Sequence, residues 1–212
     1  MFGRFNLIAA ERLIRRHFKV MDLPSYQPSY NIAPGQELLT LVQWKDGSNQ
    51  AATMLWRLIS SWSKDRKIAH QLINARAETV AEKPSFRSAY KHRRCLIPAI
   101  GFYEWQNTET SKQPYHIHQS ANALFALAGL WERWKNSQET VYSRAIITMA
   151  PIHTRMPVVI PPEIYNPWLD LNATSVNLSD FLASDHTYSN MLFAAISTRV
   201  NNPLHNNAGC LI

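Results

Sequence analysis

A few polar groups in this chain stand in settings that suit chemistry. Glu104 lies between Tyr103 and Trp105 in the run Gly101-Phe102-Tyr103-Glu104-Trp105. An acid among so many apolar neighbours is raised in pKa and can act as general acid or base near neutral pH. Strand alternation offers a second reading, a Glu on the polar face turned to solvent. His153 sits between Pro151 and Pro157. Rigid loops often display functional side chains, and imidazole changes charge near pH 7; a solvated loop histidine has the same sequence. Asn74 and Arg76 are two residues apart on a predicted strand and so share a face. An amide beside a guanidinium suits a sugar–phosphate or a carbonyl, although Arg76 with Glu78 also makes a plain ion-pair ladder. Trp62, in a basic segment, can stack on a base. His116 and His118 share a strand face without a third ligand nearby, so neither a metal nor any other cofactor is expected.

Charge narrows the partners. Lys and Arg number 22 against 15 Asp and Glu, a formal net charge of +7. A basic domain suits a polyanion, nucleic acid first among them, though a merely basic soluble enzyme shows the same balance. The 46% hydrophobic and 11% aromatic content is that of a globular chain. Its 212 residues suffice for one well-cored domain, residues 1–212. The two cysteines, Cys95 and Cys210, form no disulfide framework, and a reducing cytoplasm is the expected setting. No apolar run reaches the roughly 18 residues of a membrane span, and no signal peptide is expected.

The elements that position these residues follow from periodicity. Residues 9–20 read as a helix with Leu13, Ile14, His17 and Phe18 on one face. Residues 23–34 hold Pro24, Pro28 and Pro34 and read as an extended loop. Strands 37–44 and 51–58 form a hairpin whose turn signal is Asp46-Gly47, with Trp44 and Trp56 as core residues. Residues 60–71 read as a loop or short helix, 72–76 as a short strand and 84–94 as a helix. Strands are expected at 95–100, 101–106, 115–119, 124–131, 141–148 and 191–197. Short helices are expected at 161–169 and 178–183, before an irregular tail from 199. Neighbouring strands with helices in separate blocks mean α+β, a mostly antiparallel sheet or open barrel with peripheral helices.

Five motifs, in order, carry a resemblance. They are Met1-Phe2-Gly3-Arg4-Phe5, Asn31-Ile32-Ala33-Pro34-Gly35, Ile73-Asn74-Ala75-Arg76-Ala77-Glu78-Thr79, Gly101-Phe102-Tyr103-Glu104-Trp105 and His153-Thr154-Arg155-Met156-Pro157. Together they resemble the SRAP family of SOS-response-associated, abasic-site-processing proteins, over almost the whole chain. The resemblance implies that Met1 is removed and that a Cys at position 2 condenses with the aldehyde of a ring-opened abasic site. The product is a thiazolidine, a covalent shield on single-stranded DNA; lyase and autoproteolytic peptidase activities go with the family. It implies that Asn74 orients the amino terminus and that Glu104 and His153 move protons. Arg4, Arg76 and Arg155 would meet DNA backbone, Trp62 would stack at the lesion, and Asn31 and Pro34 would line the DNA site. The implied partners are single-stranded and abasic-site DNA, bound by a monomer at the cytoplasmic nucleoid.

This chain departs from that pattern at its centre. Phe2 stands where the family has its nucleophilic Cys. Phenylalanine has no thiol, and its bulk opposes removal of Met1. Arg57 replaces a Gly, Ser60 a Pro, and Thr154 an acidic residue; the first and last of these make the groove more positive. Three readings follow: a non-covalent DNA-binding relative, a weak lyase working through the amino-terminal amine, or an active crosslinker if Phe2 is an altered Cys.

Overall fold

The computed structural model describes residues 2–44, 47–66, 72–150, 155–171, 188 and 190–212. In chain order its elements are β1 (Phe5–Leu7), α1 (Glu11–Phe18), β2 (Ser29–Ile32), β3 (Glu37–Gln43), β4 (Asn49–Trp56) and β5 (Asn74–Arg76). Next come α2 (Arg87–His92), β6 (Arg94–Ala99), β7 (Gly101–Asn107), β8 (Lys112–Gln119), β9 (Phe125–Lys135) and β10 (Thr140–Met149). The last are β11 (Met156–Pro157), β12 (Val159–Ile160), α3 (Tyr165–Leu169) and β13 (Met191–Ala195).

Hairpins build most of the structure, as paired apolar runs around turn residues require. β3 and β4 pair antiparallel from Glu37↔Leu55 to Gln43↔Asn49, and β9 and β10 from Thr140↔Lys135 to Ile146↔Gly129. β6 joins β3 to β9, and β10 pairs in parallel with β4 at Ser143↔Leu55 and Arg144↔Trp56. That contact closes β10, β4, β3, β6 and β9 into a five-stranded barrel, which removes exposed strand edges along the ring. β5 pairs in parallel with β10 farther along, Ile146 opposite Asn74. The second sheet runs β13-β8-β7-β1-β2. At Gly129, where β6 crosses β9, an added Cβ would lie 2.4 Å from Ile97 Cδ1 and 2.8 Å from Cys95 Sγ. A larger residue there would have to push both side chains aside.

β6 is buried along its whole length, and Trp56 and Trp168 are fully enclosed. Burial of such rings dominates the core energetics. Helix α1 turns Ile14 and Phe18 inward, while Leu13 is exposed. Among the described residues no helix is long and apolar enough to cross a membrane.

The α+β, mostly antiparallel expectation holds, with corrections in detail. Residues 29–32 form an edge strand rather than loop, because the segment between Pro28 and Pro34 keeps every N–H it needs to pair with β1. Trp44 is not a core residue but 56% exposed, lying just past the end of β3. The helix expected at 84–94 is confined to α2, and the one at 161–169 to a 3₁₀ turn followed by α3. The helix expected at 178–183 lies outside the described residues. The tail forms 3₁₀ turns at Thr198–Asn201 and Ala208–Cys210 and buries Val200 and Cys210 against Tyr103 and Ile196.

Candidate active site

The site begins where the chain enters β1. Pairing of Phe5 with Phe102 lays the amino terminus beside β7, and the Asn74 side chain at the start of β5 reaches the same point. Asn74 Nδ2 donates to the Phe2 carbonyl at 2.6 Å, while Asn74 Oδ1 is buried without a partner. The Phe2 side chain is fully buried. Its ring meets Trp56 at 5.7 Å and Phe102 edge-on at 6.0 Å. An apolar ring is driven from water into the core, a gain of about 2–3 kcal/mol. At position 2 the chain therefore has a structural anchor in place of a reactive group.

Glu104 follows Phe102 by two residues on β7, so the two share a face and Glu104 belongs to the same side of the sheet as the Phe2 contact. Its Oε1 is buried and unpartnered. Burial, which penalises the charged form, pushes this carboxyl up to about 7; the positive charge of the amino terminus pulls the other way. It borders a cavity of about 260 Å³ shared with Trp105, Tyr115, Ile117, Met156 and Phe193. An acid so placed can hold or release a proton near neutrality. Because its pKa lies above the ordinary 4.5, the folded state binds the proton more tightly than the unfolded chain. This group's contribution to stability therefore falls as pH rises from about 4.5 to about 7 and is level above. Glu104→Gln is expected to remove up to about 3 kcal/mol of that fall, read from urea unfolding at several pH values. An unchanged pH slope in the variant would mean a solvated carboxylate.

Arg76 is exposed and has no partner among the described residues. Arg155 pairs with Glu78, which also accepts from the Ala150 N–H at 3.2 Å. Partial burial raises the Glu78 carboxyl, but its own backbone N–H, Arg155 and Ala150 together outweigh that and hold it low. Glu78 thus spends itself on Arg155 rather than on a ladder with Arg76. Trp62 is 63% exposed. Pro34 is half-buried in a turn whose Gly35 takes φ +92°, close against the Arg57 guanidinium. His153 lies outside the described residues.

Arg4 and Asn31 also bond within the protein. Arg4 donates to Asn31 Oδ1 at 2.9 Å and to the carbonyls of Val200 and Asn201. Asn31, almost fully buried, donates to the carbonyls of Val200, Asn202 and His205. These bonds clamp the tail onto the entry to β1 and onto β2. Arg4→Ala is expected to cost about 1–3 kcal/mol and to expose residues 199–212 to limited proteolysis. Unchanged stability with weakened DNA binding would mean that Arg4 serves the DNA rather than the clamp.

Asn6 and Arg144, both buried, have no part in the sequence expectations. Asn6 Nδ2 contacts Tyr103 Oη and His116 Nε2, each at 2.9 Å, and His116 stacks on His118 at 4.7 Å. Burial first, then the neighbouring His118, lower His116 to about 4, so it stays neutral at pH 7. Among the described residues no group of three potential metal ligands forms. Arg144 is fully buried in the barrel, with all three guanidinium nitrogens unpartnered. The visible signal was a lone Arg before the apolar run Ala145-Ile146-Ile147.

Comparison with known proteins agrees with this geometry. The family model described as SOS response associated peptidase (SRAP) matches residues 1–203. Abasic site processing protein YoaM of Bacillus subtilis (strain 168) is 40% identical over 223 residues, covering 100% of this chain and 97% of YoaM. Abasic site processing protein HMCES of Xenopus tropicalis is 33% identical over 227 residues, covering 90% of this chain and 67% of that protein. A Bordetella bronchiseptica protein of known crystal structure superposes with a TM-score of 0.79 at 24% identity, over 92% of this chain and 99% of that one. A Bacteroides thetaiotaomicron protein follows at 0.73 and 25%, over 86% and 84%. The family model over residues 1–203 and the 40% identity across YoaM make the chain a member of the SRAP family.

Proposed function

We propose that this protein is a single-domain, monomeric SRAP relative that binds abasic-site and other single-stranded DNA without forming the thiazolidine. It would act in the cytoplasm at the nucleoid, as a non-covalent shield or a competitor of a crosslinking relative. One observation carries the reading: the side chain at position 2 is an apolar ring packed on Trp56 and Phe102, while Asn74, bonded to the Phe2 carbonyl, and Glu104, on the Phe102 face of β7, each keep an unsatisfied buried oxygen. The chain keeps the residues to which the resemblance gives orienting and proton-moving roles, and has no thiol at position 2. Arg76, exposed and without a partner among the described residues, supplies charge for a phosphate.

A second reading, a slow imine-forming lyase at the amino-terminal amine, is favoured by the Glu104 carboxyl titrating near neutral pH. An imine from that amine is reversible without a thiol to close the ring.

The test is binding of single-stranded against duplex DNA across a salt series. A preference for the single strand with salt-dependent affinity is expected, and Arg76→Ala should shrink the salt slope by about 0.7 in log–log terms. Equal affinity for both forms, or salt-insensitive binding, would sink the reading.

A further inference from the structure

The barrel carries a second concavity, away from Glu104. It measures about 540 Å³ and is lined by residues of β3, β4, β9 and β10, with Ser61 and Arg93 at its border. Its aromatic members are Trp44, Trp131 and Tyr142. Trp44 is 56% exposed and Tyr142 45% exposed, although water disfavours such large rings on a surface. Trp131 and Tyr142 lie 6.3 Å apart at 38°, forming a tilted pair.

The charge around these rings is positive. Register pairs Tyr142 with Arg133 directly across β9 and β10, so ring and guanidinium rise from the same face. Arg133 is exposed and has no partner among the described residues. Glu132, the one acidic residue lining the concavity among the described residues, is neutralised by its bond to Arg93. Open aromatic faces beside an unpaired cation fit a nucleobase with its phosphate, and suit neither a lipid tail nor a cationic ligand. Ser61 also ties the concavity to the segment displaying Trp62, which is 63% exposed.

We propose that Trp44, Trp131 and Tyr142 form a second base-stacking platform, with Arg133 for a phosphate, which takes unpaired nucleotides flanking those at the amino-terminal site. This rests on the single-strand reading above and extends it: the DNA footprint is longer than the lesion pocket needs. No bond forms or breaks here; the platform adds affinity through stacking and charge.

The experiment measures affinity for single-stranded oligonucleotides of about six and about twenty nucleotides, for the parent and for Trp44→Ala/Tyr142→Ala. Both substituted side chains are exposed, so melting should stay near the parent's. The double variant is expected to lose about tenfold or more in affinity for the long oligonucleotide and almost nothing for the short one. Arg133→Ala should lower the salt slope for the long oligonucleotide only. Equal affinity of parent and double variant for the long strand would overturn the platform while leaving the single-strand reading intact. Tight binding of a mononucleotide, without gain from chain length, would overturn it in favour of a small-molecule pocket. Absence of DNA binding by the parent would remove both proposals together.

Discussion

Phe2→Cys, once freed of Met1, is expected to form a heat-stable adduct with abasic single-stranded DNA without reductant, where the parent forms none. The α-amine condenses with the lesion aldehyde and expels water, giving an imine. The thiol sulfur then adds to the imine carbon as its proton passes to nitrogen, and the five-membered ring closes. Each step needs the backbone of residue 2 held in place. Asn74 already holds it through the bond to the Phe2 carbonyl. Glu104, with a pKa near 7, can exchange the protons. The substitution also removes a ring packed on Trp56 and Phe102, at a cost of about 3 kcal/mol in stability. The variant should therefore melt earlier yet react, a combination that a simple loss of fold does not produce. No adduct despite verified Met1 removal would mean that more than position 2 has changed in the site.

Arg144→Met is expected to raise the melting temperature by about 3–10 °C. The guanidinium is fully enclosed, and none of its nitrogens has a hydrogen-bond partner. Its compensation is the contact with the Phe5 and Trp56 rings, at 5.8 and 5.7 Å, worth about 2 kcal/mol. Desolvation lowers its pKa to about 9, with Cys95 opposing slightly. Since the ordinary value is 12.5, the folded state holds this proton less tightly than the unfolded chain. The penalty is complete below about pH 9 and is relieved as pH rises from there toward 12.5. At neutral pH it stands in full, and methionine fills similar volume without a charge. A drop in melting temperature would instead show that a buried anion or water satisfies Arg144.

The local features of this fold could be read from the residues themselves. The hairpin of β3 and β4 follows from alternation around Gly47, and the acid-in-apolar setting of Glu104 follows from its immediate neighbours. Long-range closure could not be read the same way. The parallel contact of β4 with β10 joins residues such as Leu55 and Ser143, and no local pattern encodes it. The same limit explains Arg4 and Asn31. Both bond to carbonyls near residue 200 in the tail, which no local pattern encodes. Trp44 was misplaced because hydrophobicity alone does not tell a strand centre from a strand end. The loss of a thiol at Phe2 was plain from the sequence; the inward turn of its ring needed Trp56 and Phe102 in place.

The central claim is that recognition persists here without the covalent step. Intact mass of the protein after incubation with abasic single-stranded DNA, with and without borohydride, tests it most directly. The account predicts no stable adduct without reductant, together with complex formation by a non-covalent binding assay on the same sample. A mass increase of one oligonucleotide that survives heating without borohydride would contradict it.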